Sequence, residues 1–410
     1  MKKLSLHSIV VLIGPTKSGK STWAQNQFDA DEIISLASIK KELTGNNSTV
    51  DILPNIWHEL YRRVDIRIAN GQRAVVDSTN LKDKDRFTFL DIAEKYGVEV
   101  YYKPFDLEWG TIQQNSGSCY DFDSLRKSYS IWKNARTQVL QGDNKRAVVL
   151  CGDETTVGFP NELQSARILA VGDVHGNFPA MQQAVQMAQQ LHAKLVWLGD
   201  IVDYGANNLK CLKLAYDTVR DGQALMIWGN HERKIDRWIR SDLGETFNGK
   251  LSESNLSTIR EINSLNDLRK KKFLAAWTAL RNWSFNHLTV GKFLFTHGAA
   301  TPAMWANKDR RLQGVCANMA YFGEVDTVSP TKNDGYPNRI WNWVQNIPAD
   351  HTVVVGHDWL DRVSYNVVEK ANSCGGRAFV TDCGSSKGGR LGALFVDQHS
   401  KEVLPYYFDT

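Results

Sequence analysis

Short apolar runs, each closed by a polar or glycine-rich cluster, recur along the whole chain. In the first part they read SIVVLIG at Ser8–Gly14, RAVVDST at Arg73–Thr79, VEVYYKPFD at Val98–Asp106 and RAVVLCG at Arg146–Gly152. Between them lie stretches of helical period such as DRFTFLDIAEKYG, where Phe87, Leu90 and Ala93 share one face. Strand and helix in alternation predict an α/β fold with a parallel sheet covered on both sides. The pattern lapses in DETTVGFPNELQSA, which is rich in turn residues and aperiodic, and starts again at Arg167. From there the runs are RILAVGDVHG, KLVWLGD, ALMIWGNHE, KFLFTHGA, HTVVVGH and RAFVTDCG, and each ends on a carboxylate, amide or imidazole. Ligands gather at the carboxyl ends of strands in open α/β sheets, so six such endings are expected to meet at one rim.

This pattern sets two domains, at residues 1–155 and 166–410, joined by a linker at 156–165. A length of 410 residues agrees, since it exceeds what one core usually serves. A polar, helical stretch at about 233–288 interrupts the second domain as an inserted cap. Its RKKK run, Arg269 to Lys272, reads as a solvated helix face or as a nucleic-acid patch.

Composition changes the picture little. An apolar fraction of 42% and a charged fraction of 23% exclude a disordered chain, and a net charge of +4 leaves nucleic-acid contact to local patches. The six cysteines form no CxxC pair and suit reduced thiols in a cytoplasmic protein. The opening MKKLSLHSIVVLIG imitates a signal peptide but runs into glycine where a cleavage site belongs, so it reads as a first strand. No apolar stretch reaches the ~20 residues of a membrane span, and no membrane partner is expected. Of thirteen tryptophans, Trp109, Trp228, Trp283, Trp341 and Trp343 either stack bases or fill cores.

GPTKSGKST, Gly14 to Thr22, satisfies G-x-x-x-x-G-K-[ST] between a strand and a helix. Backbone N–H groups of Gly14, Thr16, Lys17, Ser18, Gly19, Lys20, Ser21 and Thr22 are expected to cradle the phosphates of ATP, with Lys20 on the terminal phosphates and Ser21 on Mg²⁺. Asp77, at the end of AVVD, either faces that Mg²⁺ or caps a helix. With VVDSTN and a charged segment ending at Arg86, this half resembles the kinase half of bacterial polynucleotide kinase-phosphatases. The resemblance implies a P-loop NTPase-like domain with an aspartate as general base seventeen residues beyond the lysine and an arginine-bearing lid. This chain has ISLASIKK there, with Ala37 for the aspartate and Lys40 for the arginine, and the lid segment offers Arg126 beside Lys127. Alanine cannot take a proton, so either Asp77 substitutes as catalytic base or the domain binds nucleotide without transfer.

In the second half Asp173 and His175 form a D-x-H pair at a strand end, Asp200 can bridge two ions, Asn230 offers an amide oxygen, and His297 and His357 offer imidazoles. Such a mixed oxygen and nitrogen set suits two divalent ions, Mn²⁺ foremost, that generate a hydroxide and clamp an in-line displacement. The order GDxHG, GDxxDxG, GNHE, HG and GH is similar to the calcineurin-like binuclear metallophosphoesterases. That resemblance implies an α/β metallophosphoesterase fold, with Asp173, His175 and Asp200 on one ion and Asp200, Asn230, His297 and His357 on the other. It makes His231 the acid on the leaving oxygen and Asp203 the carboxylate that orients it.

RAFVTDCGSSKGGRLGALF further resembles a segment of the phosphatase half of the bacterial enzymes and makes Asp382 either an active-site carboxylate or a turn residue before Gly384. Tyr204 stands where that family carries a phosphate-gripping arginine, and Arg233, Arg377 and Arg390 are the candidates to compensate. The resemblance covers both halves in order but not the ligase-like module, which makes a separate ligase an expected partner. It implies an end-healing enzyme that removes 3′-phosphate or 2′,3′-cyclic phosphate from RNA or DNA ends and phosphorylates 5′-hydroxyls with ATP. The alternative is a phosphatase of dinucleoside polyphosphates or phosphoproteins with a nucleotide-binding P-loop domain.

Overall fold

The structure, a computed structural model, describes residues 4–45, 53–116, 121–150, 167–242, 251–306, 314–329 and 337–409. The expected linker at 156–165 lies outside the described residues. The chain forms two compact units, Met1–Phe159 with Asp267–Ala279, and Pro160–Asn266 with Leu280–Thr410. Part of the segment read as a cap of the second domain thus groups with the first unit.

The first unit is built on a parallel sheet of β1 (Ser8–Ile13), β2 (Ile33–Ser35), β3 (Ala74–Asp77), β4 (Glu99–Pro104) and β5 (Val148–Val149) in the order β2-β3-β1-β4-β5. Every residue of the central β1 is buried, the signature of a strand covered by helices on both faces. Phe89, Leu90 and Ala93 of the helix Asp83–Tyr96 pack into this core with Ile9, Val11 and Val76. Beneath it, the fully buried Arg86 makes a two-pronged ion pair with Asp143 at 2.7 and 3.0 Å, and the Tyr102 hydroxyl donates to the same carboxylate.

The second unit contains β6 (Arg167–Val171), β7 (Lys194–Trp197), β8 (Ala224–Met226), β9 (His287–Val290), β10 (Phe293–Thr296), β11 (Glu324–Val325), β12 (Arg339–Ile340), β13 (Thr352–Val355), β14 (Val368–Ala371), β15 (Arg377–Val380), β16 (Leu391–Asp397) and β17 (Glu402–Phe408). They form two five-stranded sheets, ordered β17-β16-β6-β7-β8 and β14-β15-β13-β10-β9, and a short β11-β12 pair. The sheets share one core, in which Ile168, Val196, Leu225 and Leu394 meet Phe295, Val354 and Phe379. The six motif strands therefore do not form one open sheet. β6, β7 and β8 run parallel in one sheet and β10, β13 and β15 in the other, so two facing sheets supply the rim. No helix among the described residues is long and apolar enough to cross a membrane.

Candidate metal centre and phosphate cradle

The loops leaving three of the six parallel strands, β6, β7 and β13, carry strained backbone. His175, Asp200, Asp203, Tyr204 and His357 all have φ between 50° and 75°, a region that costs non-glycine residues energy and that clusters at functional sites. Two glycines of the motifs make room for carboxylates. A Cβ at Gly229 would lie 2.2 Å from Asp200 Oδ1, and one at Gly356 would lie 2.2 Å from Asp173 Oδ1. The glycines of GNHE and GH are thus dictated by the groups packed against them.

Asp200 Oδ2 is the centre of the cluster, at 3.9 Å from His175 Nε2, 3.8 Å from His231 Nε2 and 3.4 Å from His297 Nε2. Its other oxygen accepts from the His231 backbone N–H. Donor atoms of His175, Asp200 and His231 lie within 4.8 Å of one another, as do those of Asp200, His297 and His357, and Asp200 is common to both groups. Asp173 Oδ2 lies 3.8 Å from His175 Nε2, and Asn230 Oδ1 lies 2.9 Å from His297 Nε2. All the expected metal ligands of this half meet here, with His231 beside the first group as well. His175 and His297 donate through Nδ1 to the carbonyls of Val202 and Leu198, both at 2.8 Å, which turns each Nε2 towards the cluster.

These residues fit a pair of divalent ions. Nδ1 of His357 stands only 3.0 Å from His297 Nε2. Burial, and then the Asp382 carboxylate, push the Asp173 carboxyl well above the usual range. Burial and the His231 charge hold His175 down to about 4. Imidazole nitrogens that face one another and crowded carboxylates are what a cation would satisfy.

His231 Nδ1 is bound to Asp203 Oδ2 at 2.6 Å. Asp203 is itself fixed by Thr258, which donates to its Oδ1, and by the Asn255 side-chain amide on Oδ2. Burial opposes a charged His231, but Asp200 and the Asp203 hydrogen bond outweigh it and raise its pKa. Glu232, given no role in the sequence reading, accepts backbone N–H bonds from Gly229, Asp200 and Ile201 at 3.0, 2.8 and 2.7 Å. Its place beside His231 in GNHE was the available signal. Asp382 is buried, accepts from Gly384 N–H at 3.0 Å and raises the pKa of the Asp173 carboxyl.

The arginines proposed to offset Tyr204 differ in their partners. Arg233 lies over the Tyr321 ring at 4.8 Å, Arg377 lies 3.7 Å from Glu369, and Arg390 donates to Ser364 O and Asn366 Oδ1. Trp228, Trp283 and Trp343 are core residues, whereas Trp109 and Trp341 are half-buried.

In the first unit, Lys20 Nζ turns into the P-loop and donates to Gly14 O, Pro15 O and Ser18 Oγ at 3.0, 2.7 and 3.2 Å. Burial lowers its pKa to about 8 against the pull of Asp77. Ser21 Oγ donates to Asp77 Oδ2 at 2.8 Å, so the two residues expected on Mg²⁺ are adjacent. Asn80 holds Leu12 O at 2.7 Å, and Thr79 O accepts from Gly14 N–H, which ties VVDSTN to the loop. Thr16 N–H donates to Ser128 Oγ, Ser18 is buried, and Lys17 and Thr22 are exposed. A cavity of about 820 Å³ opens beside Thr16, lined by Leu36, Trp57, Tyr61, Asp85 and Lys127 among others. Arg126 is exposed on the helix Phe122–Leu140 and is not among the lining residues, whereas its neighbour Lys127 is. Ala37 and Lys40 are both exposed on the helix Leu36–Thr44.

Residues 9–117 match the profile of an AAA domain. Over 207 residues the chain is 25% identical to the asymmetrical bis(5′-nucleosyl)-tetraphosphatase PrpE of Oceanobacillus iheyensis, covering 47% of this chain and 76% of that protein. The protein of the same name from Halalkalibacterium halodurans is 21% identical over 199 residues, 46% of this chain and 76% of its own. A solved structure described as a putative diadenosine tetraphosphatase aligns with 59% of this chain and 93% of its own, at 19% identity and a TM-score of 0.39. The profile described as calcineurin-like phosphoesterase matches residues 166–376; this is more than half of the sequence, it contains all six metal-ligand positions of the second unit, and the chain belongs to that family.

Proposed function

We propose that the chain is a bifunctional nucleic-acid end-healing enzyme whose second unit is a metal-dependent phosphatase for 3′-phosphate and 2′,3′-cyclic phosphate ends. The observation that carries the hydrolytic half is the His231–Asp203 pair at 2.6 Å, set against a cluster of metal-type ligands. Asp173, His175, Asp200, Asn230, His297 and His357 would hold the two ions, which when bound supply a nucleophilic water of low pKa and neutralise phosphoryl charge. Asp203 holds the proton on His231 Nδ1 and so presents Nε2 to the site. From there a protonated His231 delivers its proton to the departing alkoxide. Asp382 and Tyr204 line the substrate side of the centre.

The first unit, in this reading, binds ATP and Mg²⁺ through the Gly14–Thr22 loop, Ser21 and Asp77, and transfers the terminal phosphate to a 5′-hydroxyl. The Ser21–Asp77 contact of 2.8 Å supports the Mg²⁺ site, and Ala37 leaves the transfer step without the expected base. A second reading, hydrolysis of dinucleoside polyphosphates, is favoured by the names of the relatives matched over the second unit.

Phosphate release from a 3′-phosphorylated oligonucleotide, a 2′,3′-cyclic end and diadenosine tetraphosphate, measured side by side with Mn²⁺, tests the choice. Preference for the oligonucleotides, lost in Asp173→Ala, is expected. Preference for the dinucleotide would establish the second reading.

A further inference from the structure

The wall of the metal centre contains an exposed phenol where an anionic substrate needs positive charge. Tyr204 is 41% exposed, and its ring lies 4.8 Å from that of His175 and 5.5 Å from that of His231. The cation beside it comes from a different motif. Lys387, exposed in the loop that follows Asp382, holds its ammonium 5.1 Å above the Tyr204 ring and 5.6 Å from that of Trp359. That loop is anchored rather than free. Ser385 donates to Val174 O and accepts from Asn177, and the amides of Lys387 and Gly389 both donate to Gly384 O.

Among the described residues Lys387 makes no ion pair with a carboxylate, unlike Arg339 and Arg377. Its charge is nevertheless felt inside the site. Burial pushes the Asp382 carboxyl up to about 6, while the Gly384 amide and Lys387 pull it down. An ammonium over an aromatic face is held there without being neutralised, so its N–H donors remain available to an anion.

We propose that Lys387, held over Tyr204, binds the non-bridging oxygens of the substrate's phosphoryl group and supplies the charge that the phenol lacks. The proposal rests on the phosphatase reading given above and adds a binding residue to it. A lysine there acts as a point charge and lacks the fork of a guanidinium. It therefore suits a terminal phosphate dianion, which presents three equivalent oxygens, better than a diester with two.

The test uses the full chain loaded with Mn²⁺, with inorganic phosphate as the probe. Calorimetric Kd for phosphate, and KM and kcat for a phosphomonoester, are measured for wild type, Lys387→Met, Lys387→Arg and the double variant Lys387→Met, Tyr204→Arg. Loss of one charged hydrogen bond predicts a Kd and a KM about tenfold or more higher in Lys387→Met. Bound manganese should be unchanged, Lys387→Arg should stay near wild type, and the double variant should regain affinity because arginine then stands at the wall. An unchanged phosphate Kd in Lys387→Met of an active enzyme overturns this assignment alone. Wild-type protein that takes up manganese but neither binds phosphate nor hydrolyses the ester overturns the phosphatase reading, and the assignment with it.

Discussion

Asp203 Oδ2 stands 2.6 Å from His231 Nδ1 while His231 Nε2 lies 3.8 Å from Asp200 Oδ2, so one imidazole links a buried carboxylate to the one shared by both groups of metal-type side chains. This arrangement predicts a dependence on the leaving group. An acid matters where the departing alkoxide is a strong base and matters little where it is a stabilised phenolate. His231→Gln should lower kcat about 10²- to 10⁴-fold on a ribose or alkyl phosphate ester and far less on p-nitrophenyl phosphate. Asp203→Asn should follow the same pattern. Equal losses on both substrates in steady-state assays would remove the acid role.

Glu232 organises three backbone amides in the two loops that present Asp200 and Asn230. It is fully buried, and burial pushes its carboxyl up to about 7. Removing the acceptor leaves buried N–H donors unmatched, at about 1–3 kcal/mol for each group. Glu232→Ala should therefore weaken metal binding about 10- to 100-fold, the usual effect of losing a partner that orients ligands. Equilibrium dialysis against Mn²⁺ measures this, and Glu232→Gln, which keeps one acceptor oxygen, should fall between the two.

Much of this site was legible because its residues sit directly behind strands. Asp173, Asp200, Asn230, His297, His357 and Asp382 each follow an apolar run, and period alone located those runs. Pairing was not legible, since the order of strands in the sequence does not say which strand hydrogen-bonds to which. The two-sheet architecture, with β6, β7 and β8 facing β10, β13 and β15 across one core, follows from burial of both inner faces. β2 escaped notice because three residues, Ile33–Ser35, show no period. Thr258 and Asn255 lie more than fifty positions from Asp203, in a segment read only as a polar, helical cap. Lys387 sits in a glycine- and serine-rich turn, and only the folded backbone brings it to Tyr204.

The Arg86–Asp143 pair should dominate the stability of the first unit. Both side chains are fully buried, with Tyr102 and the carbonyl of Leu81 as additional partners. Breaking such a pair on one side leaves an uncompensated buried charge and costs about 3–5 kcal/mol. Arg86→Met and Asp143→Asn should each do so, whereas the joint replacement by apolar residues should recover part of the loss. Hydrogen exchange followed by mass spectrometry on peptides of β1 and β4 reads this within the full chain. Protection of the β6 and β7 peptides in the second unit should stay near wild type.

Ala37 lies in the first turn of the helix that follows β2, next to Leu36, which lines the cavity beside the P-loop. β2 pairs in register with β3, Ser35 opposite Asp77, so a carboxylate at position 37 would emerge close to the Mg²⁺ side of the cradle. Asp77 itself is engaged by Ser21 and is poorly placed to act as a base as well. Asp85 is the half-buried carboxylate in that cavity, and burial raises its pKa above the usual carboxylate value, which suits a proton acceptor. Transfer of labelled γ-phosphate to a 5′-hydroxyl oligonucleotide should be weak in wild type and should rise about 10²-fold in Ala37→Asp. Lys20→Ala should abolish it in both backgrounds. Strong wild-type transfer that disappears in Asp85→Asn would show instead that the base has moved across the cavity to Asp85, and Ala37→Asp would then add little.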